Sequence, residues 1–271
     1  MRASELPSYE DLPLEPKSGC RCAWGLFDKD GVKDEVGTIN LLTPEVVADA
    51  AKEIQTGHSV ALNWGLEHMA KPFGSRKPLE HKFIDWREKD GFDFYSYDDE
   101  VNVNTQAGSQ WDGLRHWGHG KTGLYYNGIH HNELLDSSHL GIEHLSKRGG
   151  IVGRGVLLDY QSWAEKMGRT TDQFSGYGIS AADLEAIAND QGTILKAGDI
   201  LIVRFGFLKW YNEQSEQMLD QQIINMKKLL GVKGSEESLA WLWDKHFSAV
   251  AGDSMGFESW PPDPAFAMHD Q

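Results

Sequence analysis

The run GSQWDGLRHWGHG, residues 108–120, gathers the side chains of this chain best suited to chemistry. Asp112 carries a carboxylate able to bind a divalent cation. Gln106 and Gln110 offer neutral amide oxygens, which hard cations accept more readily than zinc does. His116 follows Asp112 by four residues, and an imidazole with an ordinary pKa of roughly 6.5 can take or give a proton near neutrality. Glycines at 108, 113, 118 and 120 let the backbone turn sharply and come close to a ligand, and His119 shares the loop. A metal held here would lower the pKa of its bound water toward ~7 and polarise a carbonyl, with His116 managing the proton. The same residue types also make a plain turn in which Asp112 and His116 pair while the tryptophans pack. Spacing alone does not separate the two readings.

Other candidates are more scattered. Asp253 and Ser254 end the apolar run FSAVAG, where a carboxylate can line a pocket or cap a strand end. His130 and His131 follow LYYNG and read as turn residues. There is no G-x-S-x-G elbow and no P-loop, and the glycines of GIVGRG are wrongly spaced for a dinucleotide fingerprint. Cys20 and Cys22 sit one residue apart, a poor separation for a disulfide, and two thiols alone do not make a structural zinc site. A reduced pair is expected.

The elements that must position these residues are partly readable. In LLTPEVVADAAKEIQTG, Thr43 suits an N-cap, Pro44 the first helical position and Gly57 the stop, with Val46, Ala50 and Ile54 on one face. HSVALNW, residues 58–64, has strand composition, and the charged, aromatic stretch 66–100 lacks periodicity and reads as a long surface loop. GIVGRGVLLDY predicts a strand. Ser180 with Asp183 forms a capping box for a helix ending at Gly192. KAGDILIVRFGF predicts a turn into a buried strand at 200–203. Residues 213–230 read as a helix from the spacing of Met218, Ile223, Met226 and Leu230, and SEESLAWLWDKHFSAVAGDS as a helix feeding a strand that ends at Asp253. Interspersed strands and helices make the class α/β, or α+β, in one domain over 23–271 behind an extended arm, 1–22.

A net charge of −15 lacks the basic footprint that nucleic acid or an anionic membrane surface requires. No stretch approaches the ~18 apolar residues of a membrane span, and the first residues have no signal-peptide core. A soluble, cytoplasmic protein with a small-molecule partner is the expectation.

The loop also belongs to a larger pattern. QAGSQWDGLRH, residues 106–116, aligns without gaps with H-x-G-T-H-x-D-x-P-x-H and resembles the signature of the cyclases and kynurenine formamidase-like metal-dependent hydrolases. The blocks AWGLFDKDGVKDEVGTINLLTPE, GIEHLSKRGGIVGRGVLLD, LKAGDILIVRFGF and FSAVAGDSMGFESWPPDPAFAMHDQ resemble further blocks of the long subfamily, in the same order. That resemblance implies a swivelling β/β/α fold, a homo-oligomer, and hydrolysis of an amide, lactone or ester carbonyl by metal-bound water. Position by position, Asp112 matches the metal-binding Asp, His116 the catalytic His and Gly108 the motif glycine, while Ser109 replaces Thr. Gln106 and Gln110 stand where the family has ligand histidines, and the long subfamily often carries a G-T-Q-W-D variant that matches Gln110. His269 resembles the later ligand His; the Glu about a dozen residues beyond it in the family has no counterpart, so that segment is expected to be absent.

The implied site is therefore His116 and Asp112 as the catalytic pair, and Asp112, Gln110, Gln106 and His269 around a divalent metal, Mn or Zn. Trp24, Trp111, Trp117, His119 and Asp253 are expected to face the substrate. The two glutamines keep two rivals open: a metal-independent cyclase, dehydratase or isomerase using His116 and Asp112, and an inactive small-molecule binding protein on the same fold.

Overall fold

A computed structural model of the protein describes residues 5–14, 21–89 and 91–270. In chain order its helices are Pro44–Ala50 (α1), His131–Leu134 (α2), Glu143–Lys147 (α3), Tyr160–Lys166 (α4), Ala181–Gln191 (α5), Phe207–Asn212 (α6), Glu216–Ile224 (α7) and Glu236–Asp244 (α8). Its strands are Glu80–Asp85 (β1), Tyr97–Asn102 (β2), Leu124–Tyr125 (β3), Ile129–His130 (β4), Gly155–Leu158 (β5), Gly178–Ile179 (β6), Ile200–Val203 (β7), Gly231–Val232 (β8) and Ala249–Gly252 (β9). The fold class is α/β. The chain forms two compact units, a larger one of residues 1–57, 112–212 and 227–271 and a smaller one of 58–111 and 213–226.

In the larger unit the apolar runs become a parallel sheet in the order β5-β7-β9, with Gly155 opposite Ile200 and Ile200 opposite Ala249. Parallel neighbours cannot be joined by a tight turn, so helices must cross between them; α4 and α5 lie between β5 and β7 in the chain, and α8 precedes β9. Leu158, Leu201, Val203, Leu184 and Ile187 are fully buried where sheet and helices meet. The α5 ends follow the sequence closely. Ser180 Oγ accepts the Asp183 N–H at 3.1 Å, Asp183 accepts the Ser180 N–H at 3.2 Å, and Gly192 closes the helix at φ 67°. That left-handed position suits a residue without Cβ. A second parallel pair, β6 with β8, extends the unit.

The helix expected over 43–57 is shorter than its periodicity. Thr43 caps α1, but regular helix stops at Ala50 and a 3-10 turn, Ala51–Glu53, completes it. Likewise α7 covers only Glu216–Ile224 of the helix expected over 213–230, and Leu229 and Leu230 are buried in extended chain before β8. Apolar spacing there combines residues from two different elements.

In the smaller unit, 58–64 forms no strand. Val60 and Leu62 are exposed, so the apolar run has no partner face. The segment 66–100, expected as a loop, instead contributes β1 and the start of β2, an antiparallel hairpin registered from Glu80 opposite Asn102 to Asp85 opposite Tyr97. Cross-strand pairs His81–Asp99 at 2.7 Å and Lys82–Glu100 at 3.4 Å help hold it. Every residue of β2 is exposed, so the alternation that betrays a half-buried strand never arises in the sequence. Among the described residues no helix is long and apolar enough to cross a membrane. Cys22 is buried, and Cys20 lies outside the described residues.

Candidate functional site

A cleft of about 520 Å³ opens within the larger unit, walled by apolar and aromatic side chains that include Trp24, Phe27, Tyr126, Leu242 and Phe247. Its form starts from a tight turn. Between β3 and β4, Asn127 and Gly128 take left-handed angles of 56° and 74°, which Asn and Gly tolerate best. The buried Asn127 side chain then gathers the N-terminal segment. It accepts the Gly25 N–H at 2.8 Å and donates to Asp28 Oδ1 at 2.9 Å and to the Asp34 carbonyl at 2.8 Å. Tyr126 donates to Asp34 Oδ2 at 2.9 Å; burial first, then the Asp34 charge, pushes its phenol well above the ordinary range. A Cβ on Gly128 would lie 3.5 Å from the Trp24 ring, so the turn also seats that wall of the cleft. The arm adds another wall. Tyr9 and Arg21 line the cleft, with the Tyr9 N–H on Asp244 Oδ1 at 2.8 Å and the Arg21 guanidinium 4.8 Å from the Tyr9 ring.

Asp112, His116, Trp117 and His119 all reach this cleft, as do Trp24 and His269. The loop turns at Gly113, whose carbonyl accepts the His116 N–H at 2.9 Å. That turn brings Asp112 Oδ2 within 3.9 Å of His116 Nε2, with the two side chains 37% and 29% exposed, so water and a small molecule have access to both. His119 is buried, and its Nδ1 pairs with Thr122 Oγ1 at 2.8 Å. Trp117 donates from Nε1 to Asp270 Oδ1 at 2.8 Å, and its ring centroid lies 5.2 Å from that of His269.

His269 is held differently from His116. Its Nδ1 meets Oε1 of Glu258, a carboxylate residue only 3% exposed, whose Oε2 accepts the Met268 N–H at 2.9 Å. The Glu258 hydrogen bond raises the His269 imidazole above its ordinary value; burial opposes, and the Glu258, Asp112 and Asp270 charges add to the rise. Sequence reasoning missed Glu258. It stands eleven residues before its partner in FESWPPDP, a separation with no helical or strand logic, so only the folded return of the chain joins them.

Asp253 is not among the residues lining the cleft. It follows β9 at the carboxyl end, whereas the cleft is lined by His246, Phe247, Ala249 and Val250 at the amino end of the same strand. Its carboxylate is spent on backbone: Phe205 N–H at 2.5 Å, Gly206 N–H at 3.2 Å and Leu208 N–H at 3.3 Å, while burial pushes the group upward against those bonds. Gln106, Gln110 and Trp111 belong to the smaller unit. There the Gln106 N–H donates to Asn104 Oδ1 at 2.8 Å, and Gln110 and Trp111 are exposed. Among the described residues no group of three or more His, Cys, Asp or Glu side chains is arranged to hold a metal ion.

A family model described as Cyclase ("Putative cyclase") matches residues 76–259. The chain belongs to this cyclase family. A solved structure described as a novel cyclase is 27% identical, with a TM-score of 0.73 over 88% of this chain and 78% of that one. Isatin hydrolase A from Ralstonia solanacearum aligns at 15% identity and a TM-score of 0.52, over 84% of this chain and 80% of its own. Isatin hydrolase A from Labrenzia aggregata, bound to benzyl benzoate, aligns at 13% and 0.51, over 82% of each chain. These last two likenesses speak to the fold. No curated protein matches the chain.

Proposed function

We propose that this member of the cyclase family hydrolyses the carbonyl of a small amide, lactone or ester, with His116 as the acid/base and Asp112 as its partner. One observation carries the reading: Asp112 and His116 stand 3.9 Å apart, both accessible, on the wall of an aromatic-lined cleft. In the proposed step His116 takes a proton from a water molecule as its oxygen bonds to the carbonyl carbon. The Asp112 carboxylate favours the imidazolium so formed, and the leaving nitrogen or oxygen then takes that proton as its bond to carbon breaks. The apolar walls limit the number of competing waters.

The resemblance also implies a divalent ion, Mn or Zn, on Asp112, Gln110, Gln106 and His269. Such an ion would supply a water of lowered pKa and a polarised carbonyl. Catalytic zinc sites use three protein ligands, usually His, Glu, Asp or Cys. In the cleft the family's positions leave two such donors, Asp112 and His269, and the second has Nδ1 turned to Glu258. The residues as they stand do not fit that group.

The test is turnover of N-formylkynurenine, isatin and a panel of small lactones, alongside the metal content of protein purified without chelator. Turnover that survives EDTA and falls at least about 100-fold in His116→Ala supports the pair acting alone. Turnover abolished by EDTA and restored by Mn²⁺ or Zn²⁺ adds an ion to the site. Absence of turnover across the panel, with and without metal, refutes the hydrolase reading; retained binding of a panel member would then favour the binding protein.

A further inference from the structure

The cleft contains a second imidazole whose direction is fixed from behind. His269 lines the cleft, while its Nδ1 is turned onto Glu258. An ionised carboxylate only accepts, so in this pairing Nδ1 carries the proton and Nε2 is the nitrogen turned away from Glu258. The carboxylate is itself anchored. The Val232 N–H donates to the Phe257 carbonyl at 2.9 Å and the Ser259 N–H to the Val232 carbonyl at 2.8 Å, so β8 holds the backbone on both sides of Glu258. Its second oxygen takes the Met268 N–H, next to the histidine it orients. The Trp117 ring, tied by Nε1 to Asp270, lies beside the imidazole, tilted at 51° to it. A buried carboxylate is costly unless it is hydrogen-bonded, and packing alone would be served by an apolar side chain of similar size.

We propose that Glu258 is a positioning residue of the cleft: by accepting the Nδ1 proton of His269 it aims Nε2 at the bound molecule. The use made of that nitrogen, contact with the reacting carbonyl or leaving group, rests on the hydrolase reading above. The orientation itself does not.

Ring-nitrogen NMR of the full chain labelled with ¹⁵N-histidine tests it, with His269→Asn identifying the resonance. Wild type is expected to show a downfield, slowly exchanging Nδ1 proton on His269. In Glu258→Gln that proton moves upfield and exchanges faster, because a neutral acceptor replaces a charged one. Glu258→Asp retains part of the effect. On any panel substrate that is turned over, Glu258→Gln lowers kcat about 10-fold or more with little change in KM, and Glu258→Asp recovers part of the loss. A wild-type His269 without a hydrogen-bonded Nδ1 proton overturns the proposal, as does an unchanged proton in Glu258→Gln. Should Glu258→Gln not fold, wild type and Glu258→Asp still decide the orientation. A panel without turnover sinks the hydrolase reading, while the Nδ1 proton still decides how His269 is oriented.

Discussion

Asp253 offers the sharpest separation between what its sequence position suggests and what its surroundings do. Its Oδ1 accepts from Phe205 and Gly206, and its Oδ2 from Gly206 and Leu208. Gly206 and Leu208 border the start of α6, where backbone N–H groups have no partner within the helix. In Asp253→Asn one oxygen becomes an NH₂. If the remaining oxygen faces Phe205 and Gly206, the NH₂ meets the Leu208 N–H donor to donor, and the opposite flip strands Phe205. One buried backbone N–H is left unsatisfied either way, a cost of about 1–3 kcal/mol. At about 2 °C per kcal/mol for a chain of this length, Tm should fall by about 2–6 °C. Asp253→Ala strands all three groups and should fall further. Thermal unfolding gives Tm, and KM is read on whichever carbonyl of the panel is turned over; KM should change little at a temperature where the variant is folded. An unchanged Tm with a raised KM would refute this account and return Asp253 to the substrate pocket.

Two further predictions concern the same sheet. Burial raises the Asp159 carboxyl, but the Ser162 N–H and hydroxyl and then Arg204 outweigh it, leaving its pKa below the ordinary value. A depressed folded pKa contributes stability above the unfolded carboxyl pKa of about 3.9 that is lost as pH falls through the folded value; Arg204→Gln should therefore flatten the acid limb of a Tm-versus-pH curve. At Gly252 an added Cβ would press into the edge of the Phe205 ring and lie 3.0 Å from the Val203 carbonyl oxygen. Gly252→Ala should cost about 1–3 kcal/mol in urea unfolding, and a neutral result would mean that β9 is not packed against Phe205 as described.

What the sequence disclosed tracks how local the responsible interactions are. The α5 caps at Ser180 and Gly192, and the run Ile200–Val203, depend on neighbours within a few residues, and each appears where expected. Asp112 and His116 are four residues apart across one turn, so their pairing is an open option on the sequence alone. The β1–β2 hairpin escapes because β2 and most of β1 are exposed and their side-chain pairs are charged rather than apolar. At the end of an apolar run Asp253 reads equally as a pocket residue or as a strand cap. Here Phe205, Gly206 and Leu208 occupy that end, and the cleft lies at the other.

The two carboxylate–histidine pairs of the cleft are physically unlike, and the difference suits different tasks. Asp112 and His116 are accessible and 3.9 Å apart, beyond hydrogen-bond distance, so neither locks the other. Such a pair can re-form around a substrate and tighten as water leaves. Glu258 is buried, bonded on both oxygens, and carried on backbone paired with β8, so His269 has little freedom to follow a ligand. On the hydrolysis proposed above, the first pair would move the proton and the second would hold the bound carbonyl in one place. The local loop of residues 112–116 provides the first. The second depends on Glu258 and His269 being brought together by the return of the chain, which is why only one of the pairs is visible in the sequence.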